Sequence, residues 1–343
     1  MTAPMIPMVG PDDLEIRDYI PGQPIPAIVK DPKTGKFYVN PLKKFVVPFT
    51  LSINPQTLEL TGGQSSNYVP MPLDGKGHFE IVDALFHSTQ PEAFTVELFL
   101  PNDSMGVSSF APRPFLMNRE IHVATMASGM SPTLNYETIT TGNAGRKFRW
   151  PETYFVNVET GTRVIFARFR NLSSSTATIR FALHGRRWYH TVAPSKVADR
   201  MQAIYRSRFR TFPFFFTTAA EVVLDALGTD TPYIRLDDMS WTEIHKMMRV
   251  SDGNFLCRIV EDASDKRLMD LAMRDDLVFG EGEFPFLLWE PALFEPNYRL
   301  NFELEDLSDD TNNVYITLAG RKIMFDPEDD RLLRPGMDTG GKK

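Results

Sequence analysis

The chain has 343 residues, enough for two domains or one large one, each able to bury a core. With 42% apolar and 24% charged residues it has an ordinary globular composition, and 44 acidic against 37 basic side chains give a net charge of −7. That balance argues against non-specific binding to nucleic acid or to an anionic membrane, since both are driven by positive charge. A single cysteine, Cys257, excludes an internal disulfide and a cysteine-based zinc cluster. No apolar stretch approaches the roughly 20 residues of a spanning helix. The segment MTAPMIPMVGPDD has neither the basic nor the apolar region of a signal peptide, so none is expected. The composition departs from average in its 26 Phe and 26 Pro, which point to many short strands separated by turns.

Residues 1–45 carry Pro4, Pro7, Pro11, Pro21, Pro24, Pro26, Pro32 and Pro41. Each proline lacks an N–H and restricts the residue before it, so a long helix and a central strand are both excluded. The segment is expected to be an extended arm, with a tight turn at DPKTGK (31–36), that lies across a neighbouring subunit. Its basic and acidic residues nearly balance, which argues against a nucleic-acid tail.

A repeat runs through the rest of the chain. RNLSSSTATIRFALHGRR (170–187) aligns without a gap to EDLSDDTNNVYITLAGRK (305–322). Leu172/Leu307, Ser173/Ser308, Thr176/Thr311, Leu183/Leu318, Gly185/Gly320 and Arg186/Arg321 are identical. Other blocks follow in the same order: VPFTL (47–51) with FPFFF (212–216), NYV (67–69) with PYI (232–234), and FTVELF (94–99) with FLCRIV (255–260). FLMN (115–118) pairs with RLMD (267–270), and WPETYF (150–155) with WEPALF (289–294). Collinear blocks of this kind predict a tandem duplication with units at 46–190 and 212–325.

Within a unit the periodicity is that of strands. Ile179, Phe181 and Leu183 alternate with polar or small residues, and Val314, Ile316 and Leu318 repeat the pattern. Period-2 alternation with polar turns between predicts half-buried antiparallel strands. The fold class is therefore all-β, two tandem β-sandwiches of jelly-roll type. A projecting loop is expected at 127–147. The linker 191–211 is expected to hold a helix over 195–210, with Val197, Met201, Ile204 and Tyr205 on one face. A shorter helical turn is expected at TEIHKMM (242–248), and a polar tail at 326–343.

Residues that carry chemistry are sparse. Six histidines (78, 87, 122, 184, 190, 245) include no HExxH pair and no zinc-binding helix face. His184 aligns with Ala319, so the fold does not require an imidazole there, and it reads as a surface or hydrogen-bonded side chain. DGKGH (74–78) lacks the spacing of a phosphate loop and reads as a turn. Cys257 aligns with Val96 and reads as an inert core residue. DLSDDTNN (306–313) has carboxylates and amides suited to Ca²⁺, but its counterpart NLSSSTAT has none, so a solvated turn is the better reading. Trp150 and Trp289 align and suggest packing, while Trp188 and Trp241 remain available for sugar stacking. No enzyme activity, catalytic residue, cofactor or metal is expected. A carbohydrate-binding module or a glycoside hydrolase with two convergent carboxylates is the alternative.

The closing strands RFALHGRRW and YITLAGRKI, with the LMN/LMD and WPE/WEP blocks, resemble virion structural proteins of bacteriophages built from tandem jelly-roll or β-sandwich domains. The resemblance spans most of residues 46–325. It implies a non-enzymatic subunit of the virion that associates with copies of itself, as a trimer or ring, and with other virion proteins. It implies neither nucleic acid nor membrane as a partner.

Overall fold

The protein is described by a computed structural model covering residues 28–30, 35, 37–73, 77–90, 93–100, 113–114, 116–126, 128–129, 153–156, 164–207, 211–218, 222–236, 240–262, 268–269, 271–280 and 286–324. Most of the 1–45 arm, the projecting loop apart from 128–129, Trp150 and the 326–343 tail lie outside the described residues. Within the arm, Ile28–Lys30 pairs antiparallel with Phe37–Val39 across the expected turn, where Gly35 has φ +70°. A five-residue helix follows, α1 (Pro41–Phe45), short enough to be compatible with the proline spacing that excludes a long one. Its signal is local: the Asn40 side chain accepts from the Leu42 N–H, and Pro41 occupies the first turn, where a missing N–H costs nothing.

The first sandwich has eight principal strands: β1 (Val46–Ser52), β2 (Val69–Pro72), β3 (His78–Ser88), β4 (Phe94–Leu100), β5 (Ile121–His122), β6 (Tyr154–Val156), β7 (Val164–Asn171) and β8 (Ala177–Trp188). One sheet runs β1-β8-β3-β6 and the other β2-β7-β4-β5. The second sandwich repeats the set: β9 (Thr211–Thr217), β10 (Tyr233–Arg235), β11 (Trp241–Ser251), β12 (Phe255–Glu261), β13 (Met273–Arg274), β14 (Phe286–Phe294), β15 (Arg299–Asp306) and β16 (Asn312–Ile323). Its sheets run β9-β16-β11-β14 and β10-β15-β12-β13, the same order strand for strand. Two four-strand sheets joined in this order form a jelly roll, so the fold is two jelly rolls in tandem. Helix α2 (Val123–Met126) follows β5, α3 (Ser195–Ser207) joins the sandwiches, and α4 (Asp275–Val278) follows β13.

Alternation places the cores. Ala177, Ile179, Phe181 and Leu183 of β8 face inward with Phe94, Val96 and Phe169, and Val314, Ile316 and Leu318 of β16 meet Phe255, Cys257 and Phe302. Phenylalanine dominates both cores, and the Phe169 and Phe181 rings meet edge to face at 5.5 Å. Val197 and Met201 of α3 pack with Leu42, Val46 and Trp188 in a third, smaller cluster.

Strand pairing tests the aligned blocks one by one. Leu183 faces Leu51 as Leu318 faces Phe216, and Phe169 faces Val96 as Leu304 faces Cys257. These registers match the aligned closing, opening and FTVELF/FLCRIV blocks. Two blocks are out of step. Tyr154 faces Ile81 where Ala292 faces Ile244, so Val156, and not Phe155, is the counterpart of Phe294. A one-residue shift reverses the face, and Val156 and Phe294 are both buried in their cores. Ile234 faces Leu300 where Met71 faces Ile165, so NYV and PYI are displaced by two residues, a shift that keeps the face.

The 242–248 segment is not a helical turn but part of the eleven-residue strand β11. A β-bulge explains the misleading pattern: Gly320 faces Ile244 while Ala319 faces Lys246, leaving His245 unmatched and breaking the alternation. The same bulge occurs in β3, where Gly185 faces Ile81 and His184 faces Asp83, passing over Val82. A Cβ on Gly185 would lie 1.8 Å from the Glu80 carbonyl oxygen, and one on Gly320 would lie 2.1 Å from that of Glu243. The two aligned glycines are thus demanded by backbone approach at matching bulges.

Candidate functional site

Each bulge aligns a glutamate with an arginine. Glu80, fully buried, accepts from Arg186 Nε at 2.8 Å and from an Arg186 terminal nitrogen at 2.7 Å, with one carboxylate oxygen for each. The Trp188 indole N–H donates to the same carboxylate at 2.8 Å, which fixes Trp188 in the interior, with the Phe155 ring 5.4 Å away. A bidentate guanidinium–carboxylate contact of this kind positions side chains and leaves no poised acid or base. The second sandwich places Glu243 against Arg321, whose Nε donates to one carboxylate oxygen, with His245 3.5 Å from the same carboxylate. Burial lowers the His245 pKa; Glu243 opposes that shift and Arg321 adds to it.

The other expected positions fall in strands, turns and the second core. His184 Nδ1 lies 3.2 Å from Asp83, a partly exposed pair across the bulge. Asp306 receives the Ser308 N–H and hydroxyl and the Asn312 amide, and Asn171 bonds Ser173 in the corresponding turn. Burial works to raise the Asp306 pKa, but the bonds from Ser308 and Asn312 hold it below the usual carboxylate range. Among the described residues, no group of three or more His, Cys, Asp or Glu side chains is arranged to hold a metal ion. Glu97 and Glu303 each engage an arginine, Arg168 and Arg258.

Cys257 lies fully buried in the second core, and burial, reinforced by Asp275 and Glu303, pushes its thiol well above the ordinary value. We expect a disulfide reagent at neutral pH to label Cys257 at least about a thousandfold more slowly than a free thiol, with the rate rising only as the second sandwich unfolds. Prompt labelling without denaturant would contradict this placement. Lys246 follows the bulge on β11, and burial lowers its pKa to about 8. The folded-state value lies below 10.5, so the unfolded chain takes up the proton first as pH falls. Stability should therefore rise as pH increases from about 8 towards 10.5, by on the order of 3 kcal/mol. Urea midpoints across that range should flatten in a Lys246→Met variant.

The most extensive arrangement of side chains outside the cores is the junction between the sandwiches. The Phe215 N–H donates to the Leu116 carbonyl at 2.7 Å, and the Asn118 side chain bonds both the N–H and the carbonyl of Thr217. Leu116 reaches this position with φ +68°. The buried hydroxyls of Thr125 on α2 and Thr317 on β16 lie 2.8 Å apart, and the His122 and Tyr315 rings are 5.2 Å apart. Phe215, Met248 and Ala319 of the second sandwich belong to the core cluster of the first. Beside this seam lies a cleft of about 560 Å³ lined by Gln90, His122, Ser173, Asp252, Asn313 and Tyr315 among others.

No family model and no curated protein sequence matches the chain. Among solved structures, the chain is similar to the major capsid protein P2 of bacteriophage PM2, at 10% identity and TM-score 0.34 over 82% of this chain and 99% of that one. It is also similar to VP2 of infectious bursal disease virus, in a subviral particle, at 9% identity and TM-score 0.22 over 90% of this chain and 48% of that one. The assignment of two jelly rolls rests on the strand order and register described above.

The junction was only partly visible in the sequence. NVYITLAG reads as half-buried, yet Thr317 and Ala319 are buried as deeply as the inward residues Ile316 and Leu318, and Tyr315 is buried as well. Their outer face is covered by the first sandwich. The signal was the run Phe214-Phe215-Phe216, which does not alternate because both faces of that strand are buried.

Proposed function

We propose that the chain is a non-enzymatic structural subunit of a bacteriophage virion (a capsid, vertex, collar or tail-associated component) that assembles with copies of itself and with other virion proteins. The observation that carries this reading is the junction: two filled jelly rolls seated on one another, with their carboxylates engaged by arginines and their tryptophan-bearing strand edge turned inward at Trp188. The sequence resemblance to tandem jelly-roll virion proteins supports the same class. Matching strand order and matching bulges support an origin by tandem duplication, with units at 46–190 and 212–325. The N-terminal arm at 1–45 and the tail at 326–343 add contact area outside the sandwiches. Assembly takes place in the host cytoplasm and the product is the virion.

Native mass spectrometry and electron microscopy of the purified chain test this. Discrete rings or shells are expected, and a monomer at all concentrations would overturn the reading. Removing residues 1–39, which spares α1, its Asn40 cap and the buried Leu42, should leave the circular dichroism of both sandwiches intact while shifting size-exclusion elution to smaller species; loss of the β signal would show that the arm is part of the fold.

A further inference from the structure

The cleft beside the junction is walled by both sandwiches: the β3–β4 and β7–β8 turns of the first, and the end of β11, the turn after it and β16 of the second. Strand register shows what is unusual there. On the outer sheet face of the first sandwich Thr178, Arg180 and His184 stand in one row, with Arg180 exposed and His184 39% exposed. The corresponding row of the second sandwich is Asn313, Tyr315 and Ala319, and the first sandwich covers it. Tyr315 for Arg180 and Ala319 for His184 are the exchanges that burial requires. Thr317, at the place of Ala182, adds a hydroxyl that the Thr125 hydroxyl meets inside the junction. Asn313 runs the other way, and so does its neighbour. The Asp252 N–H donates to the Asn313 carbonyl as the Thr89 N–H donates to that of Thr178, so a threonine pair in one sandwich is a carboxylate and an amide in the other. Both line the cleft, and the hydrogen bond between their side chains is made within the second sandwich and not across the seam.

The hydrogen bonds around the cleft decide which atoms are left for a ligand. Asn313 Nδ2 donates to Asp252 Oδ2 at 2.8 Å, so Asn313 Oδ1 and Asp252 Oδ1 are left to accept. On the first sandwich's wall, Gln90 Nε2 donates to the Ser175 hydroxyl at 2.7 Å, which fixes the amide and leaves its Oε1 to accept. The Thr89 hydroxyl accepts from the Thr178 N–H at 3.0 Å and keeps its own hydrogen to donate. Ala93, Leu172, Val250 and the Tyr315 ring supply the apolar part of the lining. No lysine or arginine stands among the described lining residues while Asp252 does, which disfavours an anion. A purely apolar ligand would leave the carboxylate and both amides desolvated and unpaired. An ammonium would use the acceptors but neither the Thr89 hydroxyl nor the apolar lining. A saccharide uses all of them, because its hydroxyls both donate and accept while its C–H faces rest on apolar side chains. The volume, about 560 Å³, is in the range of small-molecule sites and accommodates a mono- or disaccharide.

We propose that the cleft between the two sandwiches is a saccharide-binding site, in which Asp252 and Asn313 of the second sandwich and Gln90 of the first accept hydrogen bonds from the ligand's hydroxyls. Because its walls belong to different sandwiches, a bound saccharide bridges them and stabilises the junction. This is a binding function added to the structural role, and it holds whether or not the chain self-associates.

The test uses the full chain. Saturation-transfer NMR and calorimetry with glucose, galactose, mannose, N-acetylglucosamine, lactose and maltose should detect binding of at least one sugar, with a rise in thermal midpoint; spermidine and inorganic phosphate are the cationic and anionic comparisons. Asp252→Ala, Asn313→Ala and Gln90→Ala should each weaken that binding at least about tenfold. All three side chains are partly or fully exposed, so circular dichroism should stay unchanged. Arg180→Ala, at the place of Tyr315 on the first sandwich's own face, should leave the affinity as it is. The same sugars on a glycan array separate the two sources of ligand: retention there as well as in solution assigns the site to a glycan terminus, binding in solution alone to a free sugar, and either supports the site. No sugar bound in either format, spermidine or phosphate bound in its place, or an affinity that survives all three alanine substitutions would overturn the proposal.

Discussion

Replacing Gly320 with alanine is expected to destabilise the second sandwich by at least about 3 kcal/mol, with Gly185→Ala doing the same to the first. The added Cβ would meet a backbone oxygen at 2.1 Å in one case and 1.8 Å in the other, and a backbone atom paired into a central strand has nowhere to go. Relief would require unmaking the bulge. That would move His245 or Val82 back into the ladder and turn every later residue of β11 or β3 to the opposite face. Gly63 supplies the control. It has φ +73° and nothing within 4 Å of its would-be Cβ, so Gly63→Ala should cost only about 1–2 kcal/mol, from the left-handed backbone alone. Urea unfolding followed by circular dichroism separates these cases. Equal, small effects at all three glycines would mean that the bulges are not the reason for the aligned pair.

The second large effect concerns the carboxylate beside each bulge. Glu80→Ala removes the acceptor of two Arg186 bonds and of the Trp188 indole N–H, in a place where Glu80 is fully buried and Arg186 only 12% exposed. Breaking one partner of a buried pair typically costs about 3–5 kcal/mol, and that loss is expected here. Tryptophan fluorescence should report it directly, because Trp188 loses its bond and its packing against Phe155. Glu243→Ala at the matching position should cost only about 1 kcal/mol, since Arg321 is 33% exposed and water replaces part of what is lost. A reversed order of the two variants would show that burial does not control the strength of this pair.

Much of the architecture was legible because it is encoded locally. Alternation at Ile179, Phe181 and Leu183, and again at Val314, Ile316 and Leu318, identifies strands and their inward faces without reference to any partner. The reading failed where a local pattern was interrupted for a non-local reason. His245 makes TEIHKMM look helical only because a bulge, set by the close approach of Gly320, removes one residue from the alternation. WPETYF and WEPALF match by eye but sit one residue out of register, because letters can be aligned without regard to which face the pleat gives them. A further exchange had no sequence signal: Arg249 and Asp275 form a buried ion pair where the first sandwich has Phe86 and Val123.

The amino-acid sequence by itself determined that this protein is built of antiparallel strands, that its two halves repeat, and that Arg186/Arg321 and Gly185/Gly320 hold corresponding places. Period, turn chemistry and self-similarity are properties of short stretches of chain, so they survive reading one residue after another. Only the tertiary structure decided that Glu80 and Glu243 are the partners of those arginines, that the glycines serve bulges, and that the outer face of one sandwich is covered while its counterpart is exposed. Those outcomes depend on contacts between residues as distant as Thr125 and Thr317. Such contacts are selected by the packing of whole sheets, which no local pattern specifies.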